Sequence, residues 1–217
     1  MLITSDIRKK YGNLEVLKGI DLEVKKGEIV SIVGASGAGK STLLQILGTL
    51  DKPDSGIVKL NEEDIFKFSE KELAKFRNQK LGFIFQFHNL FAEFTAIENV
   101  CMPAYIRGTD DKTANIRAEY LLELLGLSDR ATNLPSQMSG GEQQRVAVAR
   151  AIMNEPQIVF ADEPSGNLDS KNAHELHELF FRLRDELNQT FVIVTHNQSL
   201  ADMADRKLVM EDGKIIS

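Results

Sequence analysis

The eight residues GASGAGKS, Gly34 to Ser41, leave this chain few ways to fold. They follow the pattern GxxxxGK[ST], in which a glycine-rich loop turns several backbone N–H groups inward onto a polyphosphate. The pattern needs an apolar strand before it and a helix after it. Both are present: Glu28-Ile29-Val30-Ser31-Ile32-Val33 runs into the loop, and Ser41 to Leu50 has helical spacing. Strand, loop and helix N-terminus put a bound anion where the helix dipole favours negative charge. Lys40 is expected to reach the β- and γ-phosphates, and the Ser41 hydroxyl to ligate Mg²⁺. Gly34, Ser36, Gly37, Ala38, Gly39 and Thr42 complete the expected nucleotide contacts of the loop.

The chain is long enough for a sizeable core, with 217 residues, 42% of them apolar and 27% charged. A net charge of −6 argues against nucleic acid as a partner. Cys101 stands alone, so no intrachain disulfide is expected, and a reducing compartment fits. The segment MLITSDIRKK has no apolar signal-peptide centre, and no apolar run approaches the ~18 residues needed to span a bilayer.

Along the chain, short strands are expected at Leu2-Ile3, Val16-Leu17 and Ile20 to Val24, forming an antiparallel layer with Ser55 to Leu60. A charged helix is expected over 70–80 and a strand over Leu81 to Phe85, ending at Gln86. Residues 95–155 read mainly as helices. There Ile116, Tyr120, Leu121, Leu124 and Leu125 form one apolar face, and Gly126 follows as a cap. Ile158 to Ala161 and Phe191 to Thr195 read as buried strands. Between them an amphipathic helix turns Leu176, Leu179, Phe180, Leu183 and Leu187 to one side. Asp212-Gly213 reads as a tight hairpin.

Three of these strands end in polar residues: Val33 in the glycine loop, Ala161 in Asp162-Glu163, and Thr195 in His196. Open parallel α/β sheets bind ligands beyond the carboxyl ends of their strands, so the three are expected to converge on one nucleotide. Asp162 is expected to hold the Mg²⁺ shell and Glu163 to polarise the attacking water. His196 can hydrogen-bond a γ-phosphate. His174 and His177 do not fit the HExxH spacing and read as a solvated helix face. Ser139-Gly140-Gly141-Glu142 has two compatible readings, a capping box and a second phosphate site at a helix N-terminus.

Taken together, these segments resemble the ATP-binding-cassette (ABC) ATPases over essentially the whole chain. MSGGEQQRVAVARAI resembles that family's signature, GASGAGKS its Walker A motif, IVFADEP its Walker B motif and SGNLDS its D-loop. Gln86 matches the Q-loop glutamine, His196 the switch histidine, and Tyr11 the aromatic that stacks on adenine. Met138, Glu142 and Ser165 stand where leucine, glutamine and threonine are usual; none puts ATP hydrolysis in doubt.

The resemblance implies an α/β fold. Its parts are a P-loop NTPase (RecA-like) core sheet, an antiparallel β subdomain and a helical subdomain carrying the signature. The first two would take up about 1–86 and 156–217, and the helical part 87–155. ATP and Mg²⁺ are the implied ligands, with Gln86 linking the γ-phosphate and Mg²⁺. Two copies would pair head to tail, each ATP lying between the Walker motifs of one copy and Ser139, Gly140 and Gly141 of the other. Integral membrane permease subunits are the implied partners.

Within the family, NQKLGFIFQFHNLFAEFTAIENV (Asn78 to Val100) resembles the lipoprotein-releasing cassettes. That group implies a homodimer, peripheral on the cytoplasmic face of the bacterial inner membrane. It would reach its lipoprotein substrate only through the permease. LGTLDKPDSG and FADEPSGNLDS also fit a wider group of macrolide-export and cell-division cassettes, whose ATPase drives a mechanical change in a membrane partner. A small-molecule kinase would leave the signature and His196 without a task, and no NKxD run favours guanine. Phe87, Leu90, Phe91 and Phe94 fit neither a helix stripe nor strand alternation, so some are expected to be exposed as a partner surface.

Overall fold

The computed structural model describes residues 1–216. A four-stranded antiparallel sheet is built from β1 (Leu2–Tyr11), β2 (Leu14–Val24), β4 (Ser55–Leu60) and β5 (Glu63–Asp64), in the order β2-β1-β4-β5. β1 and β2 are longer than the sequence suggests. The alternation of β1 breaks at a bulge between Thr4 and Ile7, where Asp6 has φ 48° and the register shifts against both neighbours. Beyond the bulge Lys9 takes an inward position, its ammonium 2.8 Å from Asp51 Oδ1. A polar residue in that place reads as loop in the sequence.

The central sheet has the order β10-β9-β3-β8-β7-β6. Its parallel strands are β3 (Ile29–Val33), β6 (Leu81–Phe85), β7 (Ile158–Asp162), β8 (Thr190–Val194) and β9 (Arg206–Glu211). β10 (Lys214–Ile215) returns antiparallel through Asp212 and Gly213, both at positive φ. Both faces of this sheet are covered, as a parallel sheet requires. Val30, Ile32, Phe160, Val192 and Val194 pack toward the antiparallel sheet and α1 (Lys40–Leu47). Ile29, Val159, Ala161, Phe191 and Ile193 face the other way, onto the helices.

Those helices are α3 (Ala96–Arg107), α4 (Asp111–Leu124), α5 (Gly140–Ile152), α6 (Ser170–Leu187) and α7 (Gln198–Met203), whereas α2 (Glu70–Lys80) packs Phe76 against the cluster on the antiparallel-sheet side. None is long and apolar enough to cross a membrane. The apolar face expected on α4 is displaced. Leu121 and Leu125 are buried, but Ile116 and Tyr120 are 59% and 45% exposed. Ala114, Ala118 and Leu122 fill the inner face instead, since small side chains let α4 approach α3 and α5 closely. Gly126, with φ 69°, follows the end of α4 in the left-handed region, as expected for a helix stop. On α6 the buried stripe is Leu176, Leu179, Phe180 and Leu183. His177 is also inward. It is 2% exposed with Nε2 3.1 Å from Ser165 Oγ, which corrects its reading as a solvated residue. His174 is exposed and lies 3.3 Å from Glu178.

Candidate active site

Among the α-helices, the N-terminus that follows the glycine loop differs from every other. α2 to α7 are each capped by a side-chain oxygen, from Ser69, Thr95, Asp110, Ser139, Asp169 and Asn197 in turn. α1 begins after Gly39 with no side-chain cap and no acidic residue in its first turn. Its first N–H groups are therefore left for an anion. Gly39 has φ 99°, a left-handed angle that favours glycine. At Gly34 the demand is space, because a Cβ would come 2.1 Å from the Met210 carbonyl oxygen. Lys40 Nζ donates to the Gly34 and Ala35 carbonyls, both at 2.9 Å, holding the loop closed around its own ammonium.

The other two strand ends meet this loop. Tyr11, Ser36, Lys40, Thr42, Glu163 and His196 line one cleft of about 540 Å³, together with Gly34, Gly37, Gly39 and Ser41. Ala38, inside the loop, is buried and accepts from the Gly213 N–H at 3.1 Å, tying the loop to the β9–β10 turn. Tyr11 is fixed by its hydroxyl, which donates to Asp51 Oδ2 at 2.6 Å, while its ring stays 48% exposed on the cleft. Leu14 and Val16 line the same wall. Neither stands out in the sequence as a site residue, Val16 reading only as part of a short strand.

At the end of β7, the Ser41 hydroxyl donates to Asp162 Oδ1 at 3.1 Å. Burial pushes the Asp162 carboxyl above its usual range; the Ser41 hydrogen bond opposes this, and the Glu163 charge adds to it. A cation bound beside Ser41 and Asp162 would offset that cost, and a hydroxyl with a carboxylate is an oxygen donor set suited to Mg²⁺. Gln86 joins them on a second, smaller cleft of about 270 Å³, lined also by Asp162 and Glu163. Glu163 therefore lies between the two clefts. Its backbone has φ 48°, and its N–H donates to Val194 O at 2.9 Å, locking the turn against β8. Its carboxylate lies 2.9 Å from His196 Nδ1 and accepts from the His196 N–H at 3.2 Å.

Ser139, Gly140 and Gly141 line neither cleft. The capping box is present: the Glu142 N–H donates to Ser139 Oγ at 3.3 Å, and the Ser139 N–H to the Glu142 carboxylate at 2.7 Å. Ser139 and Gly140 are exposed. Gly141 packs on α6, where a Cβ would come 2.3 Å from Asn172 Oδ1.

The aromatic run after Gln86 is largely exposed: Phe87 at 69%, Phe91 at 49% and Phe94 at 36%, with Leu90 packed on the core. The turn is held by Asn99, fully buried, whose Nδ2 lies within hydrogen-bond reach of the Phe91, Phe94 and Thr95 carbonyls. An asparagine inside an amphipathic helix gave no sign of this role.

The chain is similar to known proteins along its whole length. The ABC transporter family model matches residues 17–166. The lipoprotein-releasing system ATP-binding protein LolD of Cytophaga hutchinsonii is 64% identical, covering 100% of this chain and 99% of that protein. LolD of Bacteroides thetaiotaomicron is 58% identical over 99% of each chain. The solved dimeric structure of MJ0796, a bacterial ABC transporter cassette, superposes with a TM-score of 0.91 at 39% identity, over 100% of this chain and 97% of that one. Its post-hydrolysis state, bound to ADP and Pi, superposes at 0.90. With a family model spanning most of its length and relatives this similar over all of it, the chain belongs to the ABC transporter family.

Proposed function

We propose that this chain is the ATP-hydrolysing subunit of a lipoprotein-releasing transport complex, working as a pair of copies docked on membrane permease subunits. The full-length similarity to proteins named for lipoprotein release supports that assignment over the macrolide-export and cell-division types. The proposed location is the cytoplasmic face of the inner membrane, peripheral, in line with the absence of any described helix able to cross a bilayer. The observation that carries the chemistry is the convergence of an uncapped helix N-terminus, the Ser41–Asp162 pair and the Glu163–His196 pair on one cleft.

In this reading the loop N–H groups and Lys40 bind the phosphates, and Tyr11 stacks on the adenine. Ser41, Asp162 and Gln86 hold Mg²⁺, which when bound neutralises phosphate charge and polarises the phosphoryl oxygens. Glu163, held by the His196 imidazole and N–H, orients the attacking water and takes its proton. His196 is also within the cleft to donate to a γ-phosphate oxygen. Ser139, Gly140 and Gly141 act on the nucleotide of the second copy, since they lie away from the cleft of their own chain.

Glu163→Gln tests the assignment. It should keep ATP binding, lower turnover by roughly 10²-fold or more, the scale of a lost general base, and accumulate an ATP-bound dimer. Near-normal steady-state hydrolysis by the purified variant complex would sink the role given to Glu163.

A further inference from the structure

Gln86, at the exit of β6, touches the turn after β7 through two amides. Its Nε2 donates to Asn167 Oδ1 at 3.0 Å, and Asn167 Nδ2 donates to the Gln86 carbonyl at 3.1 Å. The chemistry of this ring fixes both side chains. A backbone carbonyl only accepts, so Asn167 must turn its Nδ2 toward it, which leaves Oδ1 for Gln86. Gln86 must then offer Nε2, and its Oε1 stays free. An amide ligates a hard cation through that carbonyl oxygen. Gly166 makes the approach possible, because a Cβ there would lie 2.9 Å from Gln86 Nε2 and 3.1 Å from its Cδ.

The turn that grips Gln86 is also the one that carries Glu163. The Gly166 N–H donates to Glu163 O at 3.0 Å and the Leu168 N–H to Ser165 O at 3.1 Å. His177 holds the Ser165 hydroxyl from α6, and Asp169 caps that helix. On the other side, Gln86 leads directly into Phe87 and the exposed aromatic run.

We propose that Asn167, seated by Gly166, is a positioning residue that keeps Gln86 Oε1 free for a cation beside Ser41 and Asp162 and ties the Phe87–Phe94 segment to the turn bearing Glu163. The metal half of this rests on the reading of Gln86 as a Mg²⁺ ligand. The mechanical half does not. Asn167 is exposed, so truncating it leaves the core intact.

Three measurements on the full chain test it. In nucleotide-free protein, Asn167→Ala and Gly166→Ala should each speed amide hydrogen exchange of residues 86–89 several-fold, with exchange in β3, β7 and β8 unchanged. In the reconstituted complex, Asn167→Ala should raise the half-saturating Mg²⁺ concentration for hydrolysis roughly 5- to 10-fold while sparing kcat at saturating Mg²⁺. In a double-mutant cycle, Asn167→Ala should add nothing to Gln86→Ala, because it acts through that side chain. Unchanged exchange at 86–89 in both variants overturns the tie. Additive Mg²⁺ effects overturn action through Gln86. A Gln86→Ala variant with a normal Mg²⁺ requirement overturns the metal reading of Gln86 and the orienting role with it, whereas the exchange result alone still decides the tie.

Discussion

Mild acid should loosen the fold through one buried imidazole. His177 is 2% exposed and its hydrogen bond to Ser165 Oγ is 3.1 Å long. Burial above all, and the neighbouring His174 to a lesser extent, bring its pKa from 6.5 down to about 4. Between these values the unfolded chain binds a proton that the folded chain refuses. Stability is therefore full above pH 6.5 and falls as pH drops toward 4. The two values give a loss of about 2 kcal/mol between roughly pH 7 and pH 5, and about 3 kcal/mol near pH 4. Urea unfolding followed by circular dichroism across that range reads the loss directly. His177→Gln is the control: it keeps a hydrogen-bonding group opposite Ser165 but takes up no proton. Its absolute stability should fall by about 1 kcal/mol, yet its dependence on pH should be flatter than that of the parent by about 2 kcal/mol over the same interval. His88, also lowered by burial and by Arg150, titrates in both proteins and cancels. Parallel pH curves for the two proteins, or a His177 ring resonance titrating near the ordinary histidine value, would refute the reasoning.

The remaining predictions concern α5 and the partner surface. Glu142 is held at about 2 by Arg130 and by the Ser139 N–H and hydroxyl, so its contribution is present above pH 4.5 and lost as pH falls toward 2. Glu142→Gln should cost about 1 kcal/mol near neutral pH, since Arg130 is half exposed and its ion pair is screened; thermal melts check this, and ATP affinity should not change. Ser139→Arg should leave ATP binding to the single chain intact and abolish ATP-dependent pairing in sedimentation; a role as a cap alone predicts only ~1 kcal/mol of lost stability with pairing retained. Phe91→Ala and Phe94→Ala should impair complex assembly or lipoprotein release in a reconstituted assay far more than ATP binding, and wild-type release in both would move the docking surface elsewhere.

What the residues reveal in advance depends on how locally each feature is determined. The loop Gly34 to Ser41 and the β-strands ending at Val33, Asp162 and Val194 are legible because apolar runs and glycine spacing act within a few residues. The meeting of Tyr11 with the loop was reached through the family resemblance and not through spacing. β1 was underestimated because its bulge at Asp6 inverts the pleat, and because Lys9 is buried by an ion pair with Asp51, far along the chain. On α4, size misled. Ile116 and Tyr120 look like core, but the close approach of α3 and α5 admits Ala114 and Ala118. His177 and Asn99 escaped because each is satisfied by a loop outside its helix, Asn99 by the turn just before α3 and His177 by the turn after β7, which no periodicity reports.

The two glycine-led helix starts differ in their hydrogen bonds in a way that fits the separate roles proposed for them. α1 has no side-chain acceptor at its N-terminus, so an anion in its own cleft completes it. α5 is already capped, because Ser139 Oγ accepts from the Glu142 N–H at 3.3 Å, and the Ser139 hydroxyl itself donates to the Glu142 carboxylate at 2.9 Å. A second anion can compete there only if that hydroxyl turns away from Glu142. The turn is cheap, because the carboxylate keeps the Ser139 N–H at 2.7 Å and Arg130 Nε at 2.8 Å. A carboxylate beside a phosphate would ordinarily repel it. Here the Arg130 guanidinium cancels that charge locally, which accounts for glutamate being tolerated where the family resemblance leads one to expect glutamine. In the proposed function, Ser139 and Gly140, exposed on this preformed cap, serve an anion that comes from outside their own chain.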